Sequence, residues 1–326
     1  MTKYIEIKGG TIQSVDSDPP APQLGQAWFN KTSATLKGYV PGTGAWSSGG
    51  NVNTARINPG GAGTQTAGII MAGGPATPSV RDETETYNGT SWSEVSEVNT
   101  ARFSNQHGLG TQTAAFLVAG YDGTARVTNV ESWNGASWSN STVVNAGRSL
   151  GAASGTTTAA FFAGGESPDT TANEIWDGSS WTESSELNTA RSAMGRGGTT
   201  TAGIIMAGQP SNKNIVETWD GTSWTEETDM NTARRSVAAD GNSSYAVVFG
   251  GLISPPPRSA LTEQWNGSSW TEVGDLATGR GDSASGNSGS GFLTSFAAAG
   301  AGAPGSGTDA TEEWSAPASV ETLTVS

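Results

Sequence analysis

The sequence predicts an all-β protein built as a propeller of four-stranded antiparallel blades. Three observations carry this reading. The tetrapeptide NTAR, or a close variant, recurs six times at intervals of 46, 46, 43, 43 and 46 residues. Aromatic residues recur in pairs, five apart, across Asn-Gly or Asp-Gly turns, and short apolar runs alternate with Gly-rich segments. A period in the forties belongs to propeller blades or to some helical repeats. No unit holds a helix-length run of helix formers, so the strand reading prevails.

Composition narrows the function classes. The 326 residues equal about two average domains, yet all-β propellers run this long as one. With 46 Gly and only 14% charged residues, scattered apolar residues would mean disorder; 12 Trp and periodic apolar runs argue for order instead. The absence of Cys excludes disulfides, thiolate metal sites and a Cys nucleophile, and the single His107 excludes a His cluster for metal. A net charge of -14 would repel a phosphate backbone, so no nucleic acid is expected as partner. The opening MTKYIEIKGG lacks the apolar core of a secretory signal, and no stretch approaches 18 consecutive apolar residues, so synthesis in a cytoplasm without membrane insertion is expected.

In chain order, residues 1–24 read as an arm or linker for attachment, with one strand at 2–7 and a Pro- and Asp-rich remainder. Residues 25–326 read as the propeller. Within it, 25–52 form a short N-terminal blade with strands around Trp28, 36–40 and 45–47, in which Tyr39 and Trp46 stand where later units carry their aromatic pair. Residues 53–326 form six repeats, with NTAR or its variant starting at Asn53, Asn99, Asn145, Asn188, Asn231 and Ala277.

One repeat parses strand by strand. After Arg102 comes a Gly-containing first strand, poor in large side chains and therefore suited to the crowded innermost position. Residues 114–119 (AAFLVA) are apolar throughout, as in a strand buried on both faces. A variable loop, 121–128, leads to a third strand at 129–133, a turn at Asn134-Gly135 and a fourth strand at 137–143. The equivalent second strands are 68–72, 159–163, 203–207, 246–249 and 293–299.

The pairs Tyr87/Trp92, Trp133/Trp138, Trp176/Trp181, Trp219/Trp224 and Trp265/Trp270 place two rings on one face of each sheet, positioned to pack against the neighbouring blade. An exposed sugar-stacking ladder is the functional alternative. Glu85, Glu131, Glu174, Glu217, Glu263 and Glu312 each precede the third-strand aromatic by two residues. Arg56, Arg102, Arg148, Arg191, Arg234 and Arg280 each close the connection into a new unit. Fixed register predicts six Arg–Glu ion pairs, Arg being suited to two parallel hydrogen bonds with a carboxylate. Six Arg lining a ligand channel is the alternative. The last unit lacks the Asn-Gly turn after Trp314, and 320–325 reads as a strand that completes the N-terminal blade. Seven blades are expected, six with an N-terminal appendage being the alternative.

Gly-Gly at the end of the second strand (Gly73-Gly74, Gly164-Gly165, Gly250-Gly251), an acidic-aromatic third strand, a fourth-strand Trp and a trailing Arg resemble the kelch repeat over about 53–314. Gly120 and Gly208 lack a following Gly, and several third-strand aromatics are Trp where kelch repeats usually have Tyr. GQAWFNKTSATLKGYVPGTGAWSSGGNVNTAR, GAGTQTAGIIMAGG and the ending ATEEWSAP…TLTVS are similar to kelch-like proteins of marine bacteriophages, cyanophages above all. The opening of that first stretch also resembles modules of phage tail-fibre proteins. The resemblance implies a virion protein of a tail fibre or another appendage.

Three functions follow as expectations. The first is host-surface glycan recognition through the least repetitive loops, 75–82, 121–128, 166–173, 209–214 and 252–260, with Arg81, Tyr121, Asp122, Arg126, Asp169, Lys213, Asn214 and Arg258 as candidate ligand-binding residues. The second is a structural scaffold that binds only other virion proteins, with a homo-oligomer plausible for a symmetric appendage. The third, an enzyme, is disfavoured, and no catalytic residue, metal or cofactor is expected. Kelch-like copper oxidases need Cys and several His, and the WDGSSW and WDGTSW turns lack a residue of the sialidase Asp-box. A glycosidase needs two carboxylates at about 5–10 Å, and the 30 acids single out no pair. His107 is read as a packing residue, and calcium at Asp122-Gly123 lacks EF-hand spacing.

Overall fold

Short apolar runs bounded by Gly and Asx turns form strands and no helices in the computed structural model, which describes residues 12–75, 79–103, 108–166, 168–254, 258–286, 293–302 and 306–323. The strand expected at 2–7, His107 and the last residues of 320–325 lie outside these. The chain divides into two units, Ala45–Trp314 and Met1–Gly44 with Ser315–Ser326.

The chain opens with β1 (Gln13–Val15), β2 (Ala27–Asn30), β3 (Thr35–Pro41) and β4 (Ala45–Ser48). The first blade is β5 (Gly60–Thr64), β6 (Ala67–Met71), β7 (Thr84–Tyr87) and β8 (Trp92–Val95). The second is β9 (Gly108–Thr111), β10 (Ala114–Tyr121), β11 (Arg126–Trp133) and β12 (Trp138–Ser141). The third is β13 (Ala152–Thr156), β14 (Ala159–Ala163), β15 (Asn173–Trp176) and β16 (Trp181–Glu183). The fourth is β17 (Gly195–Thr199), β18 (Ala202–Met206), β19 (Val216–Trp219) and β20 (Trp224–Glu226), and the fifth is β21 (Ala238–Gly241), β22 (Ala246–Phe249), β23 (Thr262–Trp265) and β24 (Trp270–Glu272). The sixth contains β25 (Ala284–Ser285), β26 (Thr294–Ala298) and β27 (Thr311–Ser315), and its outermost strand is β4 from the other end of the chain. A seventh four-stranded sheet has the order β1-β2-β3-β28, with β28 at Ala318–Thr322.

Within Ala45–Trp314 the innermost strands β5, β9, β13, β17, β21 and β25 are neighbours in a closed cycle. Small residues make this possible. A Cβ on Gly108 would sit 2.6 Å from the Gly61 backbone, and one on Gly197 would sit 2.6 Å from the Gly241 carbonyl. The inner strands are poor in large side chains, as expected, Leu109 on β9 and Arg196 on β17 being the large ones.

All six expected Arg–Glu pairs form. Arg102–Glu131 (2.7 Å), Arg148–Glu174 (2.6 Å), Arg191–Glu217 (2.9 Å) and Arg234–Glu263 (2.8 Å) are buried, as are Arg56–Glu85 and Arg280–Glu312. The second carboxylate oxygen explains the rest of the tetrapeptide. It accepts the backbone N–H of the first residue of NTAR or its variant, at 2.5–2.8 Å, from Asn99, Asn53, Asn145, Asn231, Ala277 and Asn188. The Asn side chain adds a bond to the carbonyl of the fourth-strand Trp, as in Asn188 to Trp224 at 3.0 Å. Ala277 keeps the backbone bond and lacks the side-chain bonds, which in Asn53 and Asn188 also reach the Glu carboxylate at 2.9 Å.

Each of these Arg residues also joins two blades through its own carbonyl. Gly73 donates to Arg102, Gly120 to Arg148, Gly165 to Arg191, Gly208 to Arg234, Gly251 to Arg280 and Gly300 to Arg56, at 2.8–3.2 Å. The last bond closes the ring. These six Gly have φ between 93° and 118°, and each follows an Ala or Gly near +60°. The structural register is therefore Ala72-Gly73, Ala119-Gly120, Gly164-Gly165, Ala207-Gly208, Gly250-Gly251 and Ala299-Gly300. The Gly-Gly alignment read from sequence is one residue off in the first unit. Gly120 and Gly208 depart from nothing: they supply the one glycine that the positive φ requires.

The aromatic pairs face each other across the third and fourth strands with centroids 4.8–5.5 Å apart, and all are buried. Second-strand Phe of the preceding blade meets them edge-on in Phe116–Trp176, Phe161–Trp224 and, across the closure, Phe296–Trp92. The sugar-stacking ladder is thereby excluded for these rings. Trp46 is a correction. It does not pair with Tyr39; it lies 5.3 Å from Trp314 and 4.6 Å, edge-on, from Phe249. The turn missing after Trp314 is missing because the fourth strand arrives from residues 45–48.

Met1–Gly44 with Ser315–Ser326 holds the seventh sheet. β28 pairs antiparallel with β3, so the C-terminal strand completes the N-terminal sheet as expected. β1 lies in the stretch read as linker and runs parallel to β2. Parallel pairing needs a crossover of roughly a dozen residues, which 16–26 supplies. Asp18 pins that crossover by accepting from Lys37 Nζ (2.8 Å), Asn30 Nδ2 (2.7 Å) and Trp28 Nε1 (2.9 Å), and the Lys37 bond, with the other two, holds its carboxyl down at about 2.

Removing one partner of a buried pair strands the other charge. Glu217→Ala should lose about 3–5 kcal/mol in urea unfolding, while Arg191→Met with Glu217→Leu should lose much less. Trp46→Ala should cost about 3–5 kcal/mol, and a double-mutant cycle with Trp314→Ala should show coupling. Additive losses would contradict the pairing of these two rings.

Candidate functional site: the loop rim

The ring axis is filled by protein. Arg196, on β17 and fully buried, donates from Nε to the Ala153 carbonyl (3.0 Å), from Nη1 to Ser285 Oγ (2.8 Å) and from Nη2 to the carbonyls of Gly61 (3.0 Å) and Gly108 (2.7 Å). One guanidinium thus ties the inner strands of four other blades. Burial lowers it to about 10, opposed by the nearby Asp240 charge. Burial pushes the Asp240 carboxyl up to about 8, against the Ser295 hydroxyl, the Gly241 N–H (2.8 Å) and Arg196. The six repeat Arg do not line a channel; their guanidinium groups are buried against Glu.

What remains variable is the edge where the second strand of each blade turns to the third, beside the connection between blades. The second-blade loop is shorter than expected. β10 and β11 extend to Tyr121 and Arg126, which are paired strand residues, and only 122–125 turn. Tyr121 packs on Ile57, Phe103 and Ala301 and donates its hydroxyl to the Gly123 carbonyl (3.0 Å). The Asp122 carboxylate accepts from Ala125 N–H, Thr124 Oγ1 and Thr124 N–H at 2.7–2.8 Å, which lowers its pKa. Arg126 reaches the third blade, bonding Glu166 (2.8 Å) and Ser149 Oγ (3.1 Å). Arg81 pairs with Glu83 (2.6 Å), Asp169 accepts from Ser192 Oγ (2.6 Å), and Asn214 donates to the Met230 carbonyl (3.3 Å).

Lys213 and Arg258 differ. Neither has a carboxylate within 4.0 Å among the described residues, and Arg258 Nε is buried without a hydrogen bond there. The structure adds Arg235, which the sequence reading passed over. Its signal was present: only the fifth unit reads NTARR, where the other units follow Arg with Ile57, Phe103, Ser149, Ser192 and Gly281. Arg235 lines an open depression of about 540 Å³ with Ser211, Asn212, Ala233 and Ser254.

The chain matches no family model and no curated protein.

The Asp240 carboxyl supplies a pH test. Its folded-state pKa lies above the unfolded value, so its contribution to stability is greatest below about pH 4 and declines as pH rises toward 8. Asp240→Asn should therefore gain stability over the parent progressively from pH 4 to pH 8 in thermal unfolding. A gain that shrinks with rising pH would contradict the assignment.

Proposed function

We propose that the chain is a non-catalytic recognition module of a bacteriophage virion, carried on a tail fibre or another appendage and meeting host-surface glycan with its loop rim. The observation that carries this is the division of labour within Ala45–Trp314. The joints recur six times with the same residues and geometry, whereas the rim differs in length, charge and contacts from blade to blade. A rigid repetitive frame that presents unlike loops is a common way to build a binding face. The phage context rests on the resemblance of the stretches quoted above.

A second reading, a connector that binds other virion proteins, is favoured by one observation. The sheet of Met1–Gly44 with Ser315–Ser326 leaves Ile12 and Phe29 37% exposed, lining one depression with Leu36 and Leu323. Unpartnered apolar residues on one small sheet suit docking to a protein.

Glycan-array and host-cell binding by the full chain separate the two. Saturable binding that is weakened by rim substitutions supports the recognition module. Absence of any glycan or cell binding, with particle incorporation lost on Phe29→Asp, supports the connector.

A further inference from the structure

We infer that the rim between the fourth and fifth blades binds an anionic saccharide, one bearing carboxylate or sulfate groups, through Arg235, Arg258 and Lys213. This rests on the reading of the rim as the recognition face and names its ligand class.

Charge distribution is the first observation. The molecule carries -14 overall, and its described cations away from the axis sit in ion pairs. Three do not, and all three fall in this one sector: Lys213 in the loop 209–214, Arg235 in the connection, and Arg258 in the loop 252–260. A protein this acidic gains nothing structural from leaving three cations together at an edge. Like charges gathered with no carboxylate at salt-bridge distance repel one another, and an anion relieves that repulsion.

Backbone register is the second. Arg235 pairs with Leu252, and Leu252 pairs with Arg258. Directly opposed residues of antiparallel neighbours project to the same face, so the two Arg flank Leu252 on one side of this short ladder. Lys213 lies opposite Arg234, so it projects to the other face from Arg235 and adds to the site through its charge alone. Arg235 is half-buried and oriented by a bond from Nη1 to Asn212 Oδ1 (3.3 Å). That bond leaves most of its guanidinium donors available, and Arg258 Nε is a further donor held away from water. Asp282, half-buried and hydrogen-bonded to Ser236, is a carboxyl whose field reaches both Arg. Burial raises its pKa, against the pull of both guanidinium groups.

The depression decides the ligand class. It is open, and Ser211, Ser254 and Asn212, residue types that serve sugar hydroxyls, line it beside Arg235. The Arg235 guanidinium in the depression, with Arg258 beyond Leu252 on the same face, suits carboxylate or sulfate, which accept two parallel hydrogen bonds from one guanidinium. A long phosphate backbone is disfavoured by the overall charge.

The test uses the full-length chain in calorimetric titrations with three probes: an oligogalacturonate, a sulfated galacto-oligosaccharide, and a neutral galacto-oligosaccharide. At least one anionic probe should bind, with salt-dependent affinity, and the neutral probe should not. Losing one charge-assisted contact should weaken binding about tenfold or more for Arg235→Ala and for Arg258→Ala. Lys213→Ala should weaken it less, and Arg81→Ala, on the first blade, should leave it unchanged. Thermal midpoints matching the parent identify variants that remain folded. Equal binding of the neutral probe, no binding of either anionic probe, equal binding of a polyglutamate peptide, or unchanged affinity in the folded Arg variants would overturn the inference. Host-cell binding that survives Arg235→Ala with Arg258→Ala would overturn it while leaving the rim reading intact. Anionic-probe binding without host binding would support this site and reject the host-surface reading.

Discussion

The arginine that closes each connection is the joint on which the ring depends. Its guanidinium holds a buried Glu of the blade it enters, and its carbonyl accepts a Gly N–H from the blade before. Side chain and backbone of one residue thus couple two sheets, six times around. A buried ion pair is weak evidence of net stability, because desolvation offsets most of the attraction. Its value here is positional. The carboxylate has two oxygens, one taken by Arg and one by the N–H that starts the tetrapeptide, so the connection can lie over the blade in one way only. An apolar replacement of equal volume would pack, but it would not fix that path.

The other repeated contacts fill the space between the joints. Two rings from each blade lie against the apolar second strand of the blade before it, and edge-on aromatic contacts of this kind contribute about 0.5–1.5 kcal/mol each beyond area. Fourth-strand indoles add hydrogen bonds where the neighbour permits. Trp92, Trp138 and Trp46 donate to Thr311, Thr84 and Thr262 of the preceding blade. Val216 replaces that Thr opposite Trp270, which turns to the Thr228 carbonyl instead. The ring thereby tolerates variation at individual contacts while the joints stay constant, and the freedom left to the sequence collects at the rim.

Most of the ring was legible in the sequence because repetition averages out local ambiguity. Six copies of Glu and Arg in fixed register admit few arrangements, and the buried pairs are one of them. Paired rings five residues apart likewise fixed which face of each sheet is covered. What repetition could not show was where the pattern breaks. Trp46 aligns locally with a fourth-strand Trp, but its third-strand partner, Trp314, is at the far end of the chain, and local alignment offered Tyr39 instead. The glycine register failed for a related reason. Ala72 adopts positive φ as Ala119 and Ala207 do, so counting Gly residues mistook Gly73-Gly74 for the equivalent pair. At the rim, residue type alone nominated eight candidates, several of which prove to cap turns or cross-link loops. Arg235 escaped notice because it adjoins Arg234, whose role in the repeat accounted for the dipeptide.

Native-state hydrogen exchange tests the closed ring most directly. The amides of Gly73, Gly120, Gly165, Gly208, Gly251 and Gly300 all donate to the Arg of the next blade. Amides that open only in global unfolding share one protection free energy. A closed ring predicts that Gly300, whose acceptor Arg56 lies at the opposite end of the sequence, is protected as strongly as the other five. Fast exchange at Gly300 with the other five slow would mean that the first and last blades are not joined.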